Sequence, residues 1–230
     1  MENNKSTKEI PAYAGTLRSH IVEVPECIRD ATGIKIFGRR IKAIAFTTDV
    51  AIIRNINADA ILAVYPFTPQ PAIMRAIMLA ADMPVFAGVG GGMTRGSRVI
   101  DLARDAEFEG AFGVVLNAPT SNDSLRGLKK QIDIPIIITV VSAHSDIDAR
   151  IEAGADILNV SGAENTAVIV REIRARYPRI PIIATVGPND DTIREVIAAG
   201  ANAITYTPPS NGDLFAESMR RYRLATEDIK

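Results

Sequence analysis

Eight short apolar runs punctuate the chain, at 43–46, 60–64, 84–87, 112–116, 135–139, 156–160, 181–185 and 202–206. They do not alternate with polar residues, so they predict strands covered on both faces, as in a parallel sheet. The segments between them follow the helical period. In 192–199, for example, Ile193, Val196 and Ile197 fall on one face. Eight strands alternating with eight helices, in a chain of 230 residues, predict an α/β fold: a closed (β/α)8 TIM barrel spanning 41–224.

An internal repeat agrees with that count. Residues 134–156 align without gaps onto 180–202, an offset of 46. Both copies carry Ile-Pro-Ile-Ile-x-Thr-Val, then a helix ending in Ala-Gly-Ala, then the next strand, and a weaker echo runs from 83 to 115. The unit is a quarter of a barrel. Gly110, Gly154 and Gly200 each follow a helix, where a left-handed cap is the simplest role. An open doubly wound sheet would also alternate strands and helices. It usually carries a glycine fingerprint after its first strand, and Phe46-Thr-Thr-Asp49 has none.

Residues 1–40 are expected to form an N-terminal extension packed on the barrel, with a short helix at 25–31 and a short strand at 34–37 turning at Gly38. The stretch from Tyr13 to His20 has no period; it would plug the barrel floor, cover its mouth or pack on a neighbouring subunit. Residues 225–230 read as a frayed tail.

Charge narrows the partners. The 26 Lys and Arg nearly balance 27 Asp and Glu, for a net charge of −1, so the basic footprint of a nucleic-acid binder is missing. The longest apolar stretch, 134–141, is far short of the roughly 20 residues of a membrane span. Cys27 is the one cysteine, which excludes an internal disulfide and fits a reducing, cytoplasmic setting. No membrane or nucleic-acid partner is expected; the partner is a small, anionic molecule, and exposed barrel helices suggest a homo-oligomer.

Barrel enzymes gather their chemistry at the C-terminal strand ends. The loop after the third strand carries Gly88, Gly90, Gly91, Gly92 and Gly96. Its spacing is neither a dinucleotide fingerprint nor a P-loop, since Ser97-Arg98 stands where Lys-Ser/Thr is required. Such a run lets backbone approach a ligand closely, and Arg95 beside it suits a phosphate or carboxylate. The candidate anion-binding set is Gly90, Gly91, Gly92, Arg95, Asn117, Asn159, Ser161, Gly187, Asn189, Thr207 and Ser210. For acid–base work the candidates are His144 with Asp146 as orienting carboxylate, Glu164, and Asp49. The competing role for Ser142 or Asp146 is a helix cap, and Glu164 suits a helix start in any case. Arg18 and His20 would join the site only if the N-terminal segment folded over the mouth.

Other chemistries fall away. No lysine lies in an upper loop, as a Schiff-base aldolase would need. With His20 and His144 the only histidines, a zinc cluster is disfavoured. No cofactor is expected, although magnesium held by Asp49, Asp146 or Glu164 stays open. Cys27 reads as an inert thiol.

The stretch from Ile180-Pro-Ile-Ile-Ala-Thr-Val-Gly187 to Ala199-Gly-Ala-Asn-Ala-Ile-Thr205 resembles the last two strands of the phosphate-binding TIM-barrel superfamily, which includes ribulose-phosphate epimerase and thiamin-phosphate synthase. Two departures stand out: Gly187-Pro188 where Gly-Gly is usual, and Pro208-Pro209-Ser210 where Gly-Ser is common. Pro188 also removes a backbone donor from the cradle. The resemblance implies an isomerase, epimerase or lyase that moves a proton on a phosphorylated or carboxylated sugar-like substrate. The full chain also resembles bacterial barrel proteins labelled only as hydrolases, which implies hydrolysis of a small phosphorylated metabolite. A third reading is a barrel that senses a metabolite without turnover.

Overall fold

The computed structural model describes residues 11, 13, 15, 16 and 20–227. A 3-10 turn at Glu26–Asp30 precedes an antiparallel hairpin of β1 (Ile34–Ile36) and β2 (Arg39–Ile41). Eight parallel strands follow: β3 (Ala43–Phe46), β4 (Ala60–Ala63), β5 (Val85–Gly90), β6 (Gly113–Leu116), β7 (Ile136–Val140), β8 (Ile157–Val160), β9 (Ile182–Thr185) and β10 (Ala203–Tyr206). They close into a barrel through the β10–β3 pair, where Tyr206 registers with Ala45. The helices are α1 (Val50–Arg54), α2 (Pro71–Ala80), α3 (Ser97–Phe108), α4 (Asn122–Lys129), α5 (Ile147–Glu152), α6 (Thr166–Arg176), α7 (Asp190–Ala199) and α8 (Asn211–Glu227). The fold is thus a closed (β/α)8 barrel. Among the described residues no helix is long and apolar enough to cross a membrane.

The doubly apolar runs are explained by two separate cores. Side chains pointing outward, among them Ala45, Ile61, Ile136 and Ile138, pack under the helices. Those pointing inward, including Ile44, Leu62, Phe86, Val115, Ile137, Ile157 and Ile183, fill the barrel. Ile34, Ile36 and Ile41 of the hairpin join this inner cluster, so the hairpin closes the floor. Its turn runs through Phe37 and Gly38, both at positive φ, and the Phe37 ring stands edge-on to Phe112 at 5.4 Å.

The single strand expected at 34–37 is therefore the first arm of a pair. Of the 13–20 stretch, residues 14 and 17–19, with Arg18 among them, lie outside the described residues. Two positions after His20, Val22 pairs with Ile56 and donates its N–H to Asn55 O. That contact lies on the loop leading into β4, at the floor end. His20 is consequently placed away from the mouth. At the other terminus α8 continues through Glu227, three residues into the stretch expected to fray.

The repeat has a structural counterpart at the floor. Asp59, Asp156 and Asn202 stand just before β4, β8 and β10, and each accepts backbone N–H from the preceding strand segment. Asp59 Oδ2 takes Lys42 and Ala43, both at 2.8 Å; Asp156 Oδ2 takes Ile136 at 2.9 Å; Asn202 Oδ1 takes Ile182 at 2.9 Å. Each also binds a cation, namely Arg29, Lys129 and Arg174 respectively. Gly154 and Gly200 adopt φ of +111° and +110°, and a Cβ there would come within 2.9 and 2.8 Å of the Lys129 and Arg174 stems. These glycines serve as left-handed caps and also make room for the cation.

Candidate active site at the barrel mouth

Above the inner apolar cluster, the C-terminal end of the barrel divides into two unlike halves. On consecutive strands β7 to β10, Thr139, Asn159, Thr185 and Thr205 face inward, each two residues beyond an inner core residue, as strand alternation requires. Thr185 Oγ1 donates to Asn159 Oδ1 at 3.0 Å, and Asn159 Nδ2 reaches Thr139 Oγ1 at 3.5 Å. Asn159 is 5% exposed and Thr205 fully buried. Among the described residues Thr205 Oγ1 has no hydrogen-bond partner. Leaving a buried hydroxyl unpaired typically costs about 1–3 kcal/mol, and such groups are uncommon enough to need a reason.

The opposite half is mixed, with an apolar floor. A cleft of about 240 Å³ opens between the loop after β4 and the glycine loop after β5, with Val64, Gly88 and Val115 at its floor and Asn117 at its edge. In a ring of eight strands β5 lies across from β9, so Gly88 faces the Thr185 side. A Cβ at Gly88 would come within 2.9 Å of Ala63 O and Val64 Cγ2; the glycine keeps the floor hollow. Tyr65 is fixed in the cleft wall because its hydroxyl oxygen accepts from Gln70 N at 2.8 Å.

The glycine loop is shaped by close approach. Gly90 and Gly91 take φ of +113° and +98°. Gly91 N donates to Thr94 O, and Asn117 N donates to Gly90 O, both at 3.0 Å. A Cβ on Gly91 would lie 1.8 Å from Thr120 Oγ1, so any side chain there is excluded. Arg95 is exposed, and its Nε donates to Gly92 O at 2.8 Å, tying the guanidinium to the loop.

The remaining candidates separate. Ser161, Glu164, Gly187 and Asn189 gather with Thr185 around a second, shallower hollow of about 530 Å³ between the loops after β8 and β9. Glu164 is exposed on a 3-10 turn, Ala163–Asn165. Asn189 caps α7 by accepting from Asp191 N at 2.7 Å, and Asp190 and Asp191 add two carboxylates to that first turn. Thr207 is exposed just beyond β10.

The start of α8 is likewise engaged within the chain. Asp213 Oδ2 accepts from Ser210 N and Oγ, Ser210 Oγ accepts from Asp213 N, and Asp49 Oδ2 accepts from Asn211 N at 3.0 Å. Hydrogen bonds from the Ser210 hydroxyl and N–H hold the Asp213 carboxyl below its ordinary range. The other oxygen of Asp49 caps α1 through Ala51 N and Ile52 N. Donors where the resemblance places a phosphate thus already face the protein's own carboxylates, and like charges there repel an incoming anion.

The His144–Asp146 pairing expected as base and orienting carboxylate is not formed. Asp146 Oδ1 accepts from Ala149 N at 3.0 Å as the cap of α5, while His144 is exposed on a turn held by its own N–H to Ser142 Oγ. The helix-cap alternative holds for Asp146, and Asp49, for which no such alternative was expected, is a cap as well. Asp146 instead borders a polar hollow with Thr120, Asn122 and Arg150. Arg150 binds the carbonyls of Ala118 and Thr120 and so braces the loop after β6.

Magnesium takes hard oxygen ligands, carboxylates above all. Among the described residues no group of three or more His, Cys, Asp or Glu gathers to hold a metal. The mouth presents amides and hydroxyls, and both Asp49 and Asp146 are occupied as caps. The residues present do not fit a magnesium centre. Cys27 is buried against α7, and desolvation together with the adjacent Asp190 raises its thiol pKa, the opposite of what a reactive thiolate needs.

Thr139, Thr185 and Thr205 were not singled out as site residues by sequence. The signal was present, because Thr139 and Thr185 occupy the same position of the repeat, and Asn159 and Thr205 continue the same offset. Each interrupts an otherwise apolar run.

No family model matches the chain, and no match was found among curated proteins. Solved structures do share its fold. The 2,3-dimethylmalate lyase structure, from a PEP mutase/isocitrate lyase superfamily member, matches with a TM-score of 0.62 at 15% identity, covering 93% of this chain and 86% of that one. Phosphoenolpyruvate phosphomutase from Streptomyces platensis subsp. rosaceus matches at 0.58 and 18% identity, covering 83% of each chain. Phosphonopyruvate hydrolase, solved with oxalate and Mg++, matches at 0.58 and 13%, covering 81% and 82%. At these identities the likeness is one of fold, the (β/α)8 barrel.

Proposed function

We propose that the chain is a small-metabolite enzyme of lyase, mutase or isomerase type, acting on a carboxylated substrate at the C-terminal mouth. The observation that carries this reading is the buried Thr205 hydroxyl, left without a partner beside the Asn159–Thr185 bond at the place where barrel enzymes bind substrate. In this reading substrate entry uncovers the Thr205 hydroxyl, which donates to a substrate oxygen, and Asn159 and Thr185 fix that oxygen's position. His144, on the loop after β7, is the proton carrier.

A carboxylate is favoured over a phosphate because the α7 and α8 N-termini already hold Asp190, Asp191, Asp213 and Asp49. The barrel neighbours named for a dimethylmalate lyase and a phosphomutase support a reaction of this type. No step is routed through a metal. A Schiff base is not proposed either, since Lys35, Lys42, Lys129 and Lys130 all lie at the floor side of the barrel.

The test is incubation with a panel of small 2-oxo and 2-hydroxy carboxylates in D2O, followed by NMR. Proton exchange or carbon-bond cleavage is expected, and Asn159→Ala should reduce it at least about 100-fold, the scale on which a single positioned hydrogen bond acts in catalysis. Release of inorganic phosphate from phosphoesters, with no exchange, would instead favour hydrolysis. Tight binding of a metabolite without any turnover would favour the sensing reading.

A further inference from the structure

The two halves of the mouth differ: the side of Asn159, Thr185 and Thr205 is polar, whereas the hollow between the loops after β4 and β5 has an apolar floor, with Tyr65, Thr68, Thr94 and Asn117 among its polar lining. Its walls carry large apolar side chains open to solvent: Phe67 is 71% exposed on the loop after β4 and Met93 is fully exposed on the glycine loop. Pro66 and Tyr65 extend the first wall, and Val64 and Val115 line the floor that Gly88 keeps open. Isolated exposed apolar residues are ordinary. Here they stand on facing loops over a hollow whose own floor is apolar, the pattern of a site that buries part of a ligand. The hollow, at about 240 Å³, has room for roughly eight non-hydrogen atoms at about 30 Å³ each.

From this geometry we infer that the substrate is amphipathic: a carboxylate head against the Asn159, Thr185 and Thr205 side, and a short alkyl or aryl tail in the cleft between Tyr65, Phe67 and Met93. The inference rests on the proposed function for the head and on the cleft alone for the tail. Asn117, at the cleft edge, marks the boundary between the two. Closure of Phe67 and Met93 over the tail removes both side chains from water along with the ligand.

The experiment is calorimetric titration with straight-chain 2-oxo acids of about three to twelve carbons and with phenylpyruvate. Alcohols of matched tail length serve as probes without the head. Kd is expected to fall about fourfold per added methylene and to level off once the tail exceeds about eight carbons. In the Phe67→Ser/Met93→Ser double variant, whose changes are on exposed side chains and whose fold is checked by circular dichroism, the gradient drops below about twofold per methylene. Acids that all bind with one Kd, or that weaken with length, overturn the tail pocket and leave the proposed function standing. Alcohols that show the gradient while no acid binds keep the pocket and overturn the carboxylate head. An unchanged gradient in the double variant overturns the assignment of Phe67 and Met93.

Discussion

Thr205 is the residue at which stability and activity are expected to part. Its hydroxyl is fully buried and unpartnered, so Thr205→Val removes a desolvated donor while keeping the shape. Stability in urea should rise by about 1 kcal/mol, while turnover of the carboxylate proposed as substrate falls. A loss of stability would show that the hydroxyl is satisfied in solution. Gly91→Ala works in the opposite sense. The new methyl meets Thr120 Oγ1 in a left-handed backbone, and a loss of about 2–4 kcal/mol is expected from strain and overpacking together. At Asp59, burial opposes the charge, but the N–H groups of Ala43 and Lys42 and the Arg29 guanidinium outweigh it and hold the carboxyl below its usual range. A lowered pKa adds stability at pH above the unfolded value, and that stability is lost as pH falls through the folded one. Asp59→Asn should therefore be less stable at pH 7, yet lose less stability than the parent as pH falls below about 4; acid titration followed by circular dichroism checks both.

Among elements, the β1–β2 hairpin is the one whose place depends wholly on the closed ring. Ile41→Ala, at a 2% exposed position in the inner cluster, is expected to cost about 2–5 kcal/mol, measured by urea unfolding, although it lies in no barrel strand. The eight barrel strands were legible in the sequence because two apolar cores flank each of them, which makes the runs continuous. β2 was not, because Arg39-Arg40 face solvent and only Ile41 is buried. Helix starts were half legible. Asp146 and Asp49 stand at positions that suit either a cap or a catalytic acid, and one sequence gives no means of choosing. That choice is made in space, where Asp49 meets Asn211 from 162 positions away. The polar side of the mouth was hidden for a related reason: Thr139, Asn159, Thr185 and Thr205 sit one per strand, and only the pairing of β7 to β10 makes them neighbours.

For the whole molecule, the division of the barrel end decides which reagents matter. Turnover is expected to persist in EDTA, because amides and hydroxyls, with Asp49 and Asp146 engaged in backbone hydrogen bonds, offer a hard divalent cation too few ligands. Activity assayed before and after chelation and dialysis checks this; loss on chelation, restored by magnesium, would place a metal site where none is formed by the described residues. The hairpin beneath the ring carries a kinetic consequence. With Ile34, Ile36 and Ile41 packed beneath the side chains that fill the ring, no passage runs through the barrel. For the reaction proposed above, substrate and product therefore share the mouth, and accumulating product is expected to act as a competitive inhibitor.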